Sequence, residues 1–151
     1  MSAQDNATNH YSINEASRLT GLPSSTLRYY ESIGIIQPVA RDQSSRHRTY
    51  NQRDIDVLDT IACLNATGMK LDDMRTYIAN LSDDVTPFDD QITLLKVQQE
   101  RLIEEARYVQ LRREYVELKI EYWEAVKSHD EARVQQIAVQ AKQLARELKK
   151  S

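Results

Sequence analysis

SSTLRYYE, residues 24–31, is the stretch of the chain that decides its fold. It follows a turn sequence, TGLP at residues 20–23, and predicts a short helix. Hydroxyl side chains stand at the start of this helix, and an Arg beside two Tyr follows them. These side chains can bind both the phosphate backbone of DNA and the edges of its bases. The stretch therefore predicts a helix that contacts DNA.

A second short helix is predicted just before this stretch. Ser12 can cap it, with Glu15 three residues on as a capping-box partner, and Gly21 can end it. Ser24 or Ser25 can then cap the next helix. Two short helices joined by a tight turn that contains Gly form the helix-turn-helix pattern.

A basic hairpin is predicted after the two helices. Pro38 prevents the second helix from continuing, and the polar turn DQSS at residues 42–45 lies between two short flanks. A hairpin that follows a helix-turn-helix is a wing, and Arg46 and Arg48 would reach phosphates beside the groove. Residues 18–53 hold six Arg, one of them Arg41, against two acidic residues, which gives 6 − 2 = +4 in a chain of net charge −3.

Two further helices complete the predicted head. Asn51 can cap the first, with Asp54 in its first turn, and Gly68 ends it. Residues 71–81 form the second, because their apolar residues recur at spacings of three and four.

A long uninterrupted helix is predicted over residues 90–127. Its apolar residues alternate spacings of three and four, which is typical of a coiled-coil seam, with Gln99 and Arg113 as polar interruptions. A helix packed on its own domain is the alternative, but ~38 residues extend ~57 Å, more than the small head can cover. The seam predicts a partner chain bound through Ile92, Leu95, Leu102, Val109, Val116, Ile120 and Trp123.

The same helix carries a second apolar stripe, in which Tyr108, Tyr115 and Tyr122 repeat every seven residues. We expect the last helix, residues 130–149, to pack on this stripe in its own chain or in the partner. Ser128 is the predicted cap of that helix. A ligand pocket lined by the tyrosines is the alternative to core packing, but too little chain remains for a separate ligand domain.

Several classes of protein are excluded by composition and pattern. A single Cys excludes an intrachain disulfide and a Cys-pair metal site, and we expect no metal or other cofactor. No apolar run reaches the ~18 residues of a membrane span, and no leader pattern opens the chain, so we expect a cytoplasmic protein. No paired carboxylates, nucleophile–base set or Gly-rich phosphate loop indicates an enzyme.

From residue 11 to 81 the chain resembles the MerR family of bacterial transcription regulators. YSINEA at 11–16, TLRYYE at 26–31, GII at 34–36 with Pro38, and RTY at 48–50 carry the resemblance. It implies a mainly α fold: a winged helix-turn-helix head with a small β-hairpin wing, a long antiparallel coiled-coil dimerisation helix and a C-terminal helix. It also implies a homodimer that binds double-stranded promoter DNA and twists an overlong spacer so that RNA polymerase can use it.

The expected organisation is a disordered tail at 1–10, a DNA-binding head at 11–82, a linker at 83–89, the coiled-coil helix at 90–127 and the C-terminal helix. Position by position, Arg28 and Tyr29 match family contacts from the recognition helix, and Arg48 and Tyr50 match contacts from the wing. The full predicted DNA-binding set is Ser24, Ser25, Thr26, Arg28, Tyr29, Arg41, Arg46, Arg48 and Tyr50.

Two positions depart from the family pattern. Pro23 stands where a Ser or Thr is usual at the start of the recognition helix, which shifts the predicted cap to Ser24 or Ser25. Arg46-His47 stands where Gly-Tyr is usual in the wing. A residue with a side chain at a tight tip should change the turn.

Cys63 is the predicted effector-sensing residue. On a helical wheel it lies roughly opposite the apolar face of its helix, so we expect it to face solvent or the partner chain. IACLNATGM at 61–69 resembles the thiol-based NmlR-like branch, which responds to formaldehyde and other electrophiles. A small unreactive Cys, with a non-thiol small-molecule effector, is the alternative. A coiled-coil adaptor whose head binds another protein is the competing function, but it does not account for the Arg/Tyr helix and the basic hairpin.

Overall fold

The computed structural model describes residues 9–81 and 87–150 and divides into two compact units, one up to Leu94 and one from Leu95. The predicted mainly helical fold with a helix-turn-helix at its start is confirmed. The helices are α1 (Ile13–Thr20), α2 (Ser24–Ser32), α3 (Gln52–Ala66), α4 (Leu71–Asn80), α5 (Phe88–Lys127) and α6 (Glu131–Lys149).

The turn between α1 and α2 is fixed by local hydrogen bonds. The Ser12 Oγ accepts a bond from the Glu15 amide at 3.2 Å, so the predicted cap of α1 is confirmed. Gly21 ends α1 in the left-handed region, at φ 75°, and its amide donates to the Ser17 carbonyl at 2.9 Å. Glycine adopts this conformation without steric cost. The Thr20 hydroxyl accepts from the Leu22 amide at 3.3 Å and so braces the turn.

Helix α3 begins at the predicted residue. The Asn51 side chain accepts from the Asp54 amide at 2.8 Å, and the Asp54 carboxylate accepts from the Asn51 amide at 3.0 Å, which completes a capping box. One apolar core joins α1 to α4. Its buried members are Ala16, Leu22, Leu27, Tyr30, Ile35, Ile36, Val39, Tyr50, Ile55, Leu58, Ile61, Leu64, Met69, Met74 and Ile78.

The predicted β-hairpin is shorter than expected. Arg41 and Arg48 form an isolated antiparallel bridge, and Tyr11 forms another with Tyr50. The flanks do not extend into strands because the turn takes up residues 42–47, with the Asp42 amide donating to the His47 carbonyl at 2.8 Å. The wing, defined here as residues 40–49, is therefore a tight loop closed by one bridge.

The predicted tail and linker lie largely outside the described residues, at 1–8 and 82–86. The end of the predicted linker is helical, since α5 begins at Phe88, just after Pro87, whose carbonyl accepts from the Gln91 amide at 3.0 Å. Gln91 is buried and also bonds α4, donating to the Tyr77 carbonyl at 3.0 Å.

In the second unit, α6 packs on the tyrosine stripe of its own chain. Arg133 of α6 bonds Glu121 of α5 at 2.9 Å, and Ile137 is completely buried. The stripe on α5 is half-buried or buried at Tyr108, Leu111, Tyr115, Leu118, Tyr122 and Ala125. Core packing is therefore the role of these tyrosines in the structure.

The predicted cap of α6 is wrong. Asp130, not Ser128, caps the helix, accepting from the Arg133 amide at 3.1 Å. The Ser128 hydroxyl instead donates to the Ala125 carbonyl at 3.2 Å. His129 takes a left-handed conformation, φ 58°, which reverses the chain and leaves Asp130 as the first residue with cap geometry. Over residues 9–81 and 87–150 no helix has the length and apolarity needed to cross a membrane.

Candidate nucleic-acid interface

The recognition helix α2 presents two different faces. Leu27 and Tyr30 point into the core, with 0% and 5% of their surface exposed. Arg28 is exposed, and Tyr29 is 51% exposed, with its ring centroid 6.1 Å from that of Tyr30. The buried Tyr30 ring thus supports the exposed Tyr29 ring, so that a guanidinium and a phenol stand together on the outer face.

The start of α2 differs from the prediction. Pro23 is the N-cap, at φ −57° and ψ 147°, and no side chain accepts a bond there. Ser24 and Ser25 are already helical, so neither caps the helix, because proline has the backbone angles of the cap position. Their hydroxyls, with that of Thr26, remain at the N-terminal end of α2. Ser25 is exposed, and the other two are half-buried.

The turn of the wing is held together by Asp42. One carboxylate oxygen, Oδ1, accepts from the Ser44 hydroxyl at 2.6 Å and from the Ser44 and Ser45 amides at 2.9 and 2.8 Å. These bonds, the Ser44 hydroxyl first, hold the pKa of Asp42 well below its usual range. Sequence reasoning named DQSS only as a turn, although Asp followed by two Ser is a known signal for such side-chain-closed turns.

Arg46 lies at the tip of the wing in a left-handed conformation, φ 64°. Glycine favours this conformation, and Arg46 adopts it with a side chain. Its carbonyl accepts from the Arg41 guanidinium at 3.1 Å, and both Arg side chains are exposed. The wing tip therefore carries two neighbouring positive charges.

The base of the wing is tied to the recognition helix. Arg48 Nε donates to the Glu31 carboxylate at 3.0 Å, and 21% and 14% of the two side chains remain exposed. Sequence reasoning named Arg48 as a DNA contact and did not find Glu31 as its partner.

Tyr50 is not available to DNA in this structure. It is completely buried in the core of the head, which does not match the predicted wing contact. Its backbone pairs with Tyr11 in an isolated antiparallel bridge. Burial raises the pKa of the Tyr50 phenol. Tyr50 is therefore not part of the exposed surface of the head.

Cys63 and the seam residues of α5 follow this surface in the sequence. Cys63, on α3, is exposed. The seven predicted seam residues of α5 are all exposed, with between 41% and 64% of their surface accessible. Among the described residues no group of His, Cys, Asp or Glu is placed to hold a metal ion.

Two short helices joined at a left-handed glycine, with a basic wing after them, define a winged helix-turn-helix protein. Residues 11–81 match the model of the MerR HTH family regulatory protein. The segment matched by this family model is 71 of the 151 residues of the chain.

Two curated relatives and one solved structure are similar to this chain. The chain is 41% identical over 68 residues to the uncharacterized HTH-type transcriptional regulator YyaN of Bacillus subtilis, covering 45% of this chain and 49% of the relative. It is 30% identical over 92 residues to the HTH-type transcriptional regulator AdhR of the same species, covering 61% and 65%. The matched part is thus less than two thirds of either relative. Both are named as regulators and neither as an enzyme.

The solved structure is HiNmlR, described as a MerR family regulator lacking the sensor domain, bound to promoter DNA. Its TM-score with this chain is 0.62 at 22% identity, over 85% of this chain and 96% of that one. At this identity the likeness concerns the fold alone.

Proposed function

We propose that the chain is a dimeric regulator that binds promoter DNA, distorts the spacer and activates transcription by RNA polymerase. The observation that carries the proposal is the outer face of α2, where Arg28 and Tyr29 are exposed next to the basic wing. A second helix in a helix-turn-helix enters the major groove, and a guanidinium and a phenol there bind phosphates and base edges.

The local charge supports this proposal better than the net charge does. The +4 window of residues 18–53 contains the exposed side chains of Arg28, Arg41 and Arg46. Salt screens charges farther away than about 8 Å at physiological ionic strength. A DNA phosphate near α2 therefore responds to these guanidinium groups more than to the net charge of −3.

The test is selection of duplex DNA from a randomised pool by the purified protein. We expect enrichment of one sequence, and binding that weakens steeply with salt. Arg28→Ala should weaken binding to the selected duplex by about tenfold to a hundredfold. Arg75→Ala, which removes the same charge from an exposed position on α4, is the matched control. Tight binding by Arg28→Ala, or enrichment of no sequence, contradicts the proposal.

The exposed seam supports the dimeric part of the proposal. A row of apolar side chains along one face of a helix is a partner surface when nothing in the same chain covers it. Helix α6 covers the tyrosine stripe, and residues 9–81 and 87–150 leave the seam exposed. A second copy aligned antiparallel would bury it and would place two recognition helices on one DNA.

Distortion of the spacer is the proposed means of activation. Deforming a promoter costs on the order of several kcal/mol, which contacts from two linked heads can offset. Dyes placed on either side of the spacer of the selected duplex should change their energy transfer when the protein binds. The same template should then be transcribed more efficiently by RNA polymerase. Binding without either change would contradict activation by distortion.

We further propose that Cys63 receives an aldehyde or a related electrophile. The support is its exposure on α3 and its place in a stretch that resembles the thiol-based branch. The thiolate sulfur would add to the carbonyl carbon, and the resulting alkoxide would take a proton from water. Only the thiolate form of a cysteine is nucleophilic.

Cys63→Ser tests this step in cells. Transcription from the regulated promoter should rise with formaldehyde in the wild type and stay constant in the variant. Binding of Cys63→Ser to the selected duplex in the absence of aldehyde should equal that of the wild type, which separates sensing from DNA binding. A normal response by the variant would point instead to a non-thiol effector.

A further inference from the structure

Glu31 is the acidic residue of α2 and forms an ion pair with Arg48, a residue of the proposed DNA-binding surface. A carboxylate repels DNA phosphates, so its presence there requires a reason. The structure gives one contact that can supply it: Glu31 Oε2 accepts from Arg48 Nε at 3.0 Å, across 17 positions of sequence. This ion pair joins the end of the recognition helix to the return arm of the wing.

The pair uses one of the hydrogen-bond donors of the guanidinium. Arginine has five N–H donors in a rigid plane, and Glu31 takes the single one on Nε. The paired Nη groups have the geometry that matches a phosphate. An acceptor fixed on Nε therefore sets the direction in which the Nη groups point.

The pair is mostly shielded from solvent. With 21% of Arg48 and 14% of Glu31 exposed, water reaches little of either side chain. The buried Tyr50 ring is close enough for its phenol pKa to respond to both charges, after the larger effect of burial. Charges attract more strongly in such a setting than in open solvent.

We propose that Glu31 is a positioning residue, which holds the Arg48 guanidinium in the orientation that binds a DNA phosphate and fixes the wing against α2. This inference rests on the proposed DNA-binding function. It assigns to Glu31 a role in affinity although its charge is unfavourable to DNA.

The sign of one substitution distinguishes positioning from simple electrostatics. Removal of a negative charge near phosphates should strengthen binding if Glu31 acts only through its charge. Loss of a positioning contact should weaken binding instead. Glu31→Gln keeps the size of the side chain but replaces the charge-assisted bond to Arg48 with a weaker neutral one, so the two roles predict opposite results.

The experiment measures binding of Glu31→Gln to the duplex selected by the wild type, over a series of salt concentrations. We expect affinity to fall about tenfold, within the range for coupled residues of one ion-pair network. The slope of log affinity against log salt should fall by about one, since a phosphate contact is lost. Asp59→Asn, which removes an exposed charge from α3, is the control and should not weaken binding.

A double-mutant cycle completes the test. In a protein that carries Arg48→Gln, adding Glu31→Gln should no longer weaken binding, because Glu31 then has nothing to position and only its repulsion of phosphate is removed. Thermal unfolding of each variant, followed by circular dichroism, shows that the protein is folded at the assay temperature.

Two failures are distinguishable. If Glu31→Gln binds as tightly as the wild type or more tightly, or if it loses the same affinity with and without Arg48, the positioning role is overturned and DNA binding stands. If the wild type enriches no duplex, the proposed function fails, and this inference fails with it.

Discussion

Arg46 occupies a backbone conformation that side chains other than glycine rarely adopt, with φ at 64°. A residue with a Cβ in the left-handed region destabilises the folded state by roughly 1–2 kcal/mol. Substitution by glycine removes this strain, but glycine loses more backbone entropy on folding, which offsets part of the gain. Arg46→Gly should therefore raise the free energy of unfolding by about 0.5–1 kcal/mol. The same variant should bind DNA more weakly, with a smaller salt dependence, since one positive charge leaves the wing tip.

Arg46→Ala separates the two effects of that substitution. It removes the same charge but keeps a Cβ in the left-handed region, so it should lose DNA affinity as Arg46→Gly does without gaining stability. Urea unfolding and titration with the selected duplex measure the two quantities. Equal stabilities of the Gly and Ala variants would contradict the strain assigned to Arg46.

Asp42 makes the wing turn sensitive to acid. Hydrogen bonds from Ser44 and Ser45 keep the pKa of Asp42 low in the folded state, whereas the unfolded value is about 3.9. A depressed pKa contributes stability that is fully present above about pH 4 and is lost as the pH falls towards the folded value. The gap in melting temperature between wild type and Asp42→Asn should be constant from pH 7 to 5 and narrow below 4. A gap that does not narrow would contradict the assignment.

The wing shows why part of the candidate site could not be predicted from the sequence. Arg41, Arg46 and Arg48 were identifiable as basic residues of a hairpin, and the sequence alone placed them together. The bond from Arg48 to Glu31 and the burial of Tyr50 depend on how the wing packs on α2 and on residue 11. Such contacts join distant positions, and a local pattern of residue types holds no information on them.

Helix α3 depends on its capping box. Asn51 and Asp54 satisfy each other's backbone amides at 2.8 and 3.0 Å. Asn51→Ala should lower the free energy of unfolding by roughly 0.5–2 kcal/mol, because amides at the helix start lose their acceptor. Asn51→Asp keeps an acceptor and should cost less. Chemical unfolding of both variants checks the prediction, and equal losses would indicate that the side-chain bond contributes little.

The starts of two helices were predicted correctly, since Ser12 and Asn51 cap them in the structure. Pro23 and Asp130 took the cap positions from Ser24 or Ser25 and from Ser128. In both cases several suitable residues lay within two positions, and backbone angles decided between them. Residue type alone does not determine the backbone angles at these cap positions.

Helix α5 has two apolar faces, the seam and the tyrosine stripe. Helix α6 covers one, and the seam is open for the proposed second copy. Val116→Lys places a charge in the seam and should convert a dimer into a monomer, as measured by sedimentation at micromolar concentration. DNA affinity should fall as well, since two heads no longer bind as one unit.

Val139→Lys is the matched control for this experiment. Val139 lies on α6 and is 59% exposed, close to the 56% of Val116, so the two substitutions place the same charge on similarly accessible valines. Val139→Lys should remain dimeric. If Val116→Lys also remains dimeric, the seam is not the interface between copies.

The fold-back of α6 on α5 also has a kinetic consequence. The contact between Arg133 and Glu121 spans 12 residues, so the hairpin of these helices closes through local contacts. Helices form and local loops close within microseconds, far faster than two chains meet at micromolar concentration. We therefore expect each chain to complete this hairpin alone. Two copies would then associate with this hairpin already folded in each. The rate of association would depend on protein concentration, whereas the rate of hairpin closure would not.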